Sequence, residues 1–177
     1  MTQRIIDAHH HIWRRRDLPW LMGPMRPRIF GPYEPIRRDY PVAEYLLDVR
    51  STGVERSVYV QANWAEERFE DEVAWVQSVA DTTGAPNAIV GYADFMAKDV
   101  RPQLDRLKKY RLMRGLRMQL HWHEDEMYRF ASRPDLIAEY VGLGARYVST
   151  GSDLAFLLRA LTEQARRVHE LPAGAKP

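Results

Sequence analysis

The sequence predicts an α/β fold in which strands and helices alternate along the chain. Four segments have the length of strands and are rich in β-forming residues or bounded by glycine and proline, and amphipathic helical patterns lie between them. Strands that alternate with helices of this length are typical of βαβ units. We therefore expect the strands to form a parallel sheet.

The first predicted unit runs from a strand at residues 3–9 to a helix at residues 41–52. The strand is a short apolar run that ends in histidines, and the helix stops before Gly53. Glycine is common directly after a helix because it adopts positive φ without strain. The second strand, residues 54–62, follows at once and is rich in valine.

The second helix, residues 65–83, has the clearest amphipathic pattern, and it stops before Gly84. Its apolar stripe predicts the face that packs on the sheet. The stripe consists of Phe69, Val73, Val76 and Ala80. A third strand is expected at residues 88–95.

A third helix at residues 99–110 repeats the apolar pattern and leads to the fourth strand, residues 113–121. A last unit pairs a strand at residues 145–150 with a helix at residues 153–171, for which Ser152 is the candidate N-cap. The sequence thus predicts about five parallel strands.

The stretch from Trp13 to Tyr40 interrupts the alternation. It contains five prolines, and its aromatic residues are Trp13, Trp20, Phe30, Tyr33 and Tyr40. So many aromatic residues argue against disorder, and long ordered loops are usually functional. We expect a lid, with a purely structural cover or a dimer contact as the alternative.

Composition limits the kinds of protein this can be. The 177 residues suit one domain, 45% of them are hydrophobic, and the formal net charge is only +2. The sequence lacks the stripe of basic residues that is typical of nucleic-acid binding. It also lacks an apolar run as long as a membrane span or the core of a signal peptide. The chain has no cysteine, which excludes disulfides and thiolate ligands and fits a cytoplasmic location. Any metal ion must be held by nitrogen and oxygen.

Three consecutive histidines stand at the end of the first strand, in the segment IIDAHHHIW. Side chains alternate along a strand, so Asp7, His9 and His11 are expected on one face and His10 on the other. Two imidazoles at neighbouring positions of one face can converge on a divalent ion. The alternatives are a surface histidine run and core histidines bonded to the backbone. The position before the long loop favours a metal site, or a former one.

The fourth strand carries a polar face. In the segment GLRMQLHWH this face consists of Arg117, Gln119, His121 and His123. The apolar face should pack under helices, which leaves the polar face in the interior. An interior arginine is costly unless it meets an anion or a polarised oxygen, so it suggests a substrate with a carboxylate or a carbonyl. The alternative is an arginine held by an internal carboxylate such as Asp7.

Two other polar features lie after the second strand. Gln61 stands near the carboxyl end of this strand and is a candidate donor to a substrate oxygen. Acidic residues crowd the start of the following helix, at positions 66, 67, 70, 71 and 72. Carboxylates are favoured there by the helix dipole, and we prefer that structural explanation for them.

These segments resemble the amidohydrolase-related, metal-dependent hydrolases that include lactonases of fuconolactone-like and rhamnonolactone-like sugar acids. The matching segments are IIDAHHHIW, SVYVQANW, EVAWVQSVAD, AIVGYADF and RGLRMQLHWHE, over residues 3 to about 135. The resemblance implies a (β/α)8 TIM-barrel-like fold, of which this chain holds a part. It also implies hydrolysis of a lactone of a sugar acid or of a related carboxylated cyclic ester.

The resemblance implies roles for the residues named above. His9 and His11 would bind a divalent metal ion, with zinc as first choice and manganese or no metal as alternatives. Asp7 would lie behind these ligands. The candidate catalytic residues, which would orient the substrate, are Arg117 and His121. The candidate substrate-binding residues are Gln61, Gln119, His123 and Trp13.

The chain is short for such a barrel, which typically has about 250 residues. We expect two regions, the barrel half at residues 1–135 and a unit at residues 136–177 that resembles the final strand and helix of 2-oxo-acid class II aldolases. Alternatively, the segment TGSDL supplies Asp153 as a distal metal ligand. An open sheet leaves two unpaired edges, so we expect a homo-oligomer. From the composition we expect neither a nucleic-acid partner nor a membrane partner. A non-catalytic barrel remnant and an aldolase-like lyase are the competing functions.

Overall fold

The computed structural model describes residues 4–26, 31–95 and 97–119, and two helical positions further on, Glu163 and Arg166. The chain divides into two compact units, Met1–Met118 and Gln119–Pro177. The fold described below is that of the first unit. The strand predicted at residues 145–150, the candidate ligand Asp153 and the expected boundary at residue 135 lie outside the described residues.

Four parallel strands form one sheet in the order β1-β2-β3-β4. They are β1 (Ile5–His10), β2 (Val54–Val60), β3 (Ala88–Tyr92) and β4 (Met113–Arg117). Strands that follow one another in sequence, lie side by side and run parallel are βαβ units. The α/β fold with a parallel sheet is confirmed, and its strand order is that of half a (β/α)8 barrel.

The helices of this unit are α1 (Pro19–Met22), α2 (Val42–Val49), α3 (Phe69–Thr83) and α4 (Arg101–Leu107). Three of these helices are shorter than the sequence predicts, and the fourth, α1, lies in the long loop where no helix was predicted. Single 3-10 turns occupy Arg15–Asp17, Glu34–Ile36 and Glu66–Arg68. Within the described ranges, no helix combines the length and the apolar character needed to cross a membrane.

The apolar stripe of α3 packs as predicted. Its four members are at most 6% exposed: Phe69, Val73, Val76 and Ala80. Burying an aliphatic or aromatic side chain of this size stabilises the fold by about 1.5 to 3 kcal/mol. The helix ends at Gly84, whose φ of 81° is in the left-handed region and whose N–H donates to the carbonyl of Ala80.

Helix α3 lies close to β3 at Gly91. A Cβ atom at this position would lie 3.0 Å from Cγ2 of Val73 and 3.1 Å from Cε of Met113. A larger residue would therefore push the helix or the neighbouring strand away. The glycine sets the distance between α3 and the sheet, and with it the position of every side chain that α3 directs toward the strands.

The long loop between β1 and α2 is ordered over its described parts. Trp13 and Tyr40 exchange two backbone hydrogen bonds of 2.9 Å, which close the base of the loop. Leu18, Leu21 and Tyr33 are at most 2% exposed and belong to the core. The loop is therefore packed on the sheet, and short helical turns give it secondary structure that the sequence analysis did not predict.

Candidate active site

A β-bulge in β1 decides which of its side chains meet. Between Asp7 and His10, β1 takes three steps where β2 takes two. Tyr45 of α2 donates a hydrogen bond of 2.9 Å to Oδ2 of Asp7, and its ring stacks on His10 at 3.9 Å. Asp7 and His10 therefore both lie against α2. The expectation that Asp7 shares a face with His9 and His11 is wrong, because the extra residue reverses the alternation.

His10 is a core residue. It is 6% exposed, and burial lowers its pKa to about 4 from the ordinary value of 6.5. Neither of its ring nitrogens has a hydrogen-bond partner among the described residues. This histidine is neutral at pH 7 and contributes packing against Tyr45, as expected of the histidine that lies on the opposite face from His9 and His11.

His9 and His11 come together at the carboxyl end of β1. Their ring centroids are 5.0 Å apart, with planes at 80° to each other. The irregularity of β1 lies between Asp7 and His10, and the rings of residues 9 and 11 lie side by side despite it. The structure thus confirms that these two imidazoles are neighbours, which is what a shared ion requires.

The hydrogen bond of His11 fixes its tautomer. Nδ1 lies 2.7 Å from the carbonyl oxygen of Val60, and a carbonyl only accepts, so Nδ1 carries the proton. Burial lowers the pKa of His11 to about 4, which keeps the ring neutral. Nε2 is left with its lone pair. A backbone carbonyl behind a histidine is the usual arrangement for a metal ligand of this type.

Arg117 of β4 contacts His9. Its Nη1 lies 3.3 Å from Nε2 of His9, and because a guanidinium only donates, Nε2 is the acceptor in this contact. Burial and the charge of Arg117 lower the pKa of His9. The lone pair that would bind a metal ion is therefore engaged by a cation in this structure, so a metal ion at Nε2 would compete with Arg117.

The interior position predicted for Arg117 is met in part, because the residue is half-buried at the end of β4. Its Nη2 donates a hydrogen bond of 2.9 Å to the carbonyl of Gln61, and burial lowers its pKa. Its Nε is buried without an acceptor among the described residues. Asp7 bonds to Tyr45 instead, so the alternative in which Asp7 holds this arginine is not what the structure shows.

Gln61 lies in the turn after β2 and is 1% exposed. Its Oε1 accepts a hydrogen bond of 2.7 Å from the backbone N–H of Asn63, while its Nε2 has no acceptor among the described residues. A buried donor without an acceptor costs about 1 to 3 kcal/mol. Gln61 and Arg117 each hold such a donor, and the two residues are joined through the Gln61 carbonyl. An oxygen-bearing ligand would satisfy these donors.

Glu72 of α3 is a buried carboxylate that the sequence analysis assigned to the helix dipole. It is 1% exposed, and its Oε1 accepts hydrogen bonds from the hydroxyl of Tyr59 at 2.7 Å and from the N–H of Ala62 at 2.6 Å. Burial raises its pKa to about 7, against these hydrogen bonds and the charge of Arg117. Position 72 follows Phe69 by three residues and precedes Val76 by four, so helical periodicity alone places it on the buried stripe.

The family model of the amidohydrolases matches residues 6–145. The chain belongs to the amidohydrolase family. It is 33% identical over 134 residues to the uncharacterized protein y4mH of Sinorhizobium fredii, which covers 75% of this chain and 45% of y4mH.

Solved structures agree with this assignment. Two crystal structures of an amidohydrolase from Burkholderia multivorans, one with bound zinc and one with bound HEPES, are 27% identical to this chain. Their TM-scores are 0.50 and 0.51, and each comparison covers 72% of this chain and 40% of the other protein. The chain thus spans less than half the length of these amidohydrolases.

The residues of this amidohydrolase chain offer the ligands for part of a metal site. His11 offers a free Nε2 on a neutral ring, and His9 lies beside it, so nitrogen ligands suited to zinc are present. Over residues 4–26, 31–95 and 97–119, no group of three or more histidine and acidic side chains is arranged to hold an ion. The described residues therefore fit two of the four ligands that zinc usually takes.

The other predicted site residues are only partly described. His121 and His123 lie outside the described residues. Gln119 is half-buried just beyond β4. Trp13 donates its indole N–H to the carbonyl of Arg38 at 2.6 Å, and its ring lies 5.0 Å from that of Tyr40. Its polar atom is thus used within the long loop, and a role in substrate binding would rest on its ring.

An ion cluster around the buried Asp17 ties the long loop to the start of α3, and no pattern in the sequence marked it. Asp17 is 7% exposed and accepts hydrogen bonds from Arg14 at 2.6 Å and from Arg68 at 3.0 Å. The guanidinium of Arg14 also lies 4.8 Å from the ring centre of Trp75. This cluster holds the segment after β1 against the segment after β2, on both of which the site depends.

Proposed function

We propose that this protein is a metal-dependent hydrolase of the amidohydrolase type that opens a lactone of a sugar acid or a related carboxylated cyclic ester. The observation that carries the proposal is the pair His9 and His11 at the carboxyl end of β1, beside the half-buried Arg117 of β4. The carboxyl ends of the strands are where barrels of this kind keep their active sites.

The proposed metal ion is held by His9 and His11, with further ligands from outside the described residues. Zinc is the first choice because neutral imidazole suits it and because the Burkholderia amidohydrolase binds zinc. Manganese, or catalysis without a metal, is the alternative. When bound, a divalent ion supplies Lewis acidity to a carbonyl oxygen or to water. Asp7 would act indirectly, by fixing the backbone N–H of His9 at 3.1 Å.

The proposed substrate oxygens are bound by Arg117 and Gln61. Both carry a buried donor for which the described ranges offer no acceptor, and Arg117 adds a positive charge that suits a carboxylate. His121 is proposed to orient the substrate with Arg117, and Gln119, His123 and Trp13 are proposed to line the site. A cytoplasmic location also stays a proposal.

Metal content tests the ligand assignment. We expect purified His9→Ala and His11→Ala to lose most of the zinc or manganese that the wild type binds, measured by elemental analysis. The matched control is His10→Phe, which keeps an aromatic ring on Tyr45 and should keep the metal. Equal metal content in the three variants would show that this pair is not the metal site.

Substrate chemistry is tested by a lactone panel read with a pH indicator. The panel contains fuconolactone, rhamnonolactone and two matched rings, paraconate, which bears a carboxylate, and γ-butyrolactone, which does not. Preferred hydrolysis of the carboxylated or sugar-acid lactones supports the proposal. Turnover of a 2-oxo-acid aldol substrate without lactone hydrolysis would support the lyase instead.

A second candidate is a non-catalytic half-barrel that binds another copy of itself. Among the described strands, β1 pairs only with β2 and β4 pairs only with β3, so each has one edge without a described neighbour. Ile6 on β1 is 59% exposed, which is unusual for an apolar residue in a strand of such a fold. Purified protein without metal and without lactone hydrolysis, but with a stable dimer in light scattering, would favour this candidate.

A further inference from the structure

Glu72 differs from the other acidic residues at the start of α3. Glu70 and Asp71 meet cations at the surface, where Glu70 pairs with Lys109 and Asp71 with Arg68. Glu72 is 1% exposed and has no cation in contact among the described residues. A buried carboxyl group is costly, so its hydrogen bonds must matter to the structure around it.

The hydrogen bonds of Glu72 hold the turn at residues 61–63. Its Oε1 takes the N–H of Ala62, and Oε1 of Gln61 takes the N–H of Asn63. Asn63 has a φ of 62°, in the left-handed region, which asparagine enters more readily than other residues with a side chain. The turn is thus held by Glu72 of α3 and by the side chain of Gln61, its own first residue.

The 61–63 turn orients Gln61 and Arg117, whose Nε2 and Nε atoms have no acceptor among the described residues. Because the N–H of Asn63 needs an acceptor, it fixes Oε1 of Gln61 toward itself and leaves Nε2 without an acceptor in the part of the chain that the structure describes. Arg117 is anchored on the carbonyl of the same Gln61. A displacement of Ala62 would therefore move Gln61 and Arg117 together.

We infer that Glu72 is a positioning residue, which fixes the 61–63 turn through Ala62 and thereby orients Gln61 and Arg117 for the carboxylate of the substrate. This inference rests on the proposed function. The role depends on the length of the Glu72 side chain and not on its charge. The contact that matters is the hydrogen bond from the backbone N–H of Ala62 to one oxygen of Glu72.

Two variants separate reach from charge. Glu72→Asp keeps the carboxyl group but withdraws it by one methylene from Ala62, and Glu72→Gln keeps an oxygen in place. For paraconate, we expect Glu72→Asp to raise KM about tenfold or more, which is about 1.4 kcal/mol of binding, while kcat changes less than about threefold. Glu72→Gln should rescue KM to within about twofold of the wild type.

Gln77→Ala is the matched control. Gln77 is buried on the same helix and its Oε1 also accepts a backbone N–H, that of Leu112, but this residue precedes β4 and lies at the opposite end of the sheet. We expect this variant to lower stability and to leave KM within about twofold. An equal rise of KM in Gln77→Ala would show that any loss of buried contacts in α3 has the same effect, and would overturn the inference.

An NMR measurement keeps the test independent of turnover. In Glu72→Asp, the side-chain amide signals of Gln61 should move and the Asn63 N–H should exchange about tenfold faster than in Glu72→Gln. If the wild type hydrolyses no lactone, the proposed function fails, and unchanged Gln61 signals in Glu72→Asp would separately refute the positioning. If Glu72→Asp does not fold, a KM in Glu72→Gln more than about fivefold above wild type would show that charge is what the site needs.

Discussion

The buried carboxyl group of Glu72 should make the stability of this protein depend on pH in a definite direction. Burial raises its pKa to about 7 in the folded chain, from an ordinary value of 4.5. Between these values the folded chain binds a proton that the unfolded chain releases, so the free energy of unfolding falls as pH rises. The interval is about 2.5 pH units at about 1.4 kcal/mol each, which gives a loss of about 3 kcal/mol by pH 8.

Glu72→Gln isolates this effect, because glutamine does not titrate and keeps an oxygen for Tyr59 and Ala62. Urea unfolding of both proteins at pH 4.5, 6, 7 and 8 should show the variant gaining about 3 kcal/mol relative to the wild type across the series. The lowered pKa values of His10 and His11 act in the opposite direction, raising stability as pH rises from about 4 to 6.5, but they are common to both proteins and cancel in the difference. A difference that stays constant within about 0.5 kcal/mol would refute the reasoning.

Four further outcomes are expected. Arg117→Ala should weaken hydrolysis of paraconate mainly through KM and leave γ-butyrolactone unaffected; an equal loss on both rings would contradict a carboxylate contact. The same variant should bind zinc about tenfold more tightly in equilibrium dialysis, because the cation on Nε2 of His9 is gone; weaker binding would contradict the competition. Asp17→Asn should lower the free energy of unfolding by about 2 kcal/mol, whereas Asp71→Asn, which breaks an exposed pair with the same Arg68, should cost less than about 1 kcal/mol in the same urea assay. Light scattering should give a mass above that of one chain; a mass near 20.7 kDa with a sharp melt at high temperature would show that the chain closes its own core.

The sequence was sufficient to predict the elements whose pattern is strictly periodic. The stripe of α3 and its end at Gly84 were predicted because a 3.6-residue period and a glycine stop depend only on local sequence. The bulge in β1 was not, because it depends on how two strands pair across the sheet, and no pattern within β1 marks it. The strand-based expectation for Asp7 failed for this reason, whereas the rings of His9 and His11 lie together as predicted.

Glu72 shows a different kind of error. Its place on the stripe between Phe69 and Val76 was visible in the sequence, yet acidic residues at a helix start already had a sufficient explanation in the helix dipole. The helix dipole predicts an exposed carboxylate at this position, whereas helical periodicity predicts a buried one. Periodicity is the stronger of the two effects for a residue that would interrupt an apolar face. The partner of Glu72, the N–H of Ala62, could not be predicted, because the contact depends on how the turn after β2 approaches α3 in the folded chain.

The turn after β2 explains why the candidate site forms where it does. Where a parallel strand ends, its last carbonyl groups lose their ladder partners, and buried carbonyls must find other donors. Three successive carbonyls here each accept from a different segment of the chain. Val60 accepts from His11, Gln61 from Arg117 and Ala62 from Trp20.

The donors recruited in this way are a candidate metal ligand, a candidate substrate-binding cation and the anchor of the long loop. One backbone requirement thus brings the proposed metal ligand, the proposed substrate-binding cation and the long loop to a single turn. The orientation of all three depends on the path of residues 60–62, and Glu72 controls this path at Ala62. A substitution that moves all of residues 60–62 should therefore disturb metal binding at His11 and substrate binding at Arg117 in the same variant, whereas Glu72→Asp, which loosens the turn at Ala62, should mainly affect substrate binding.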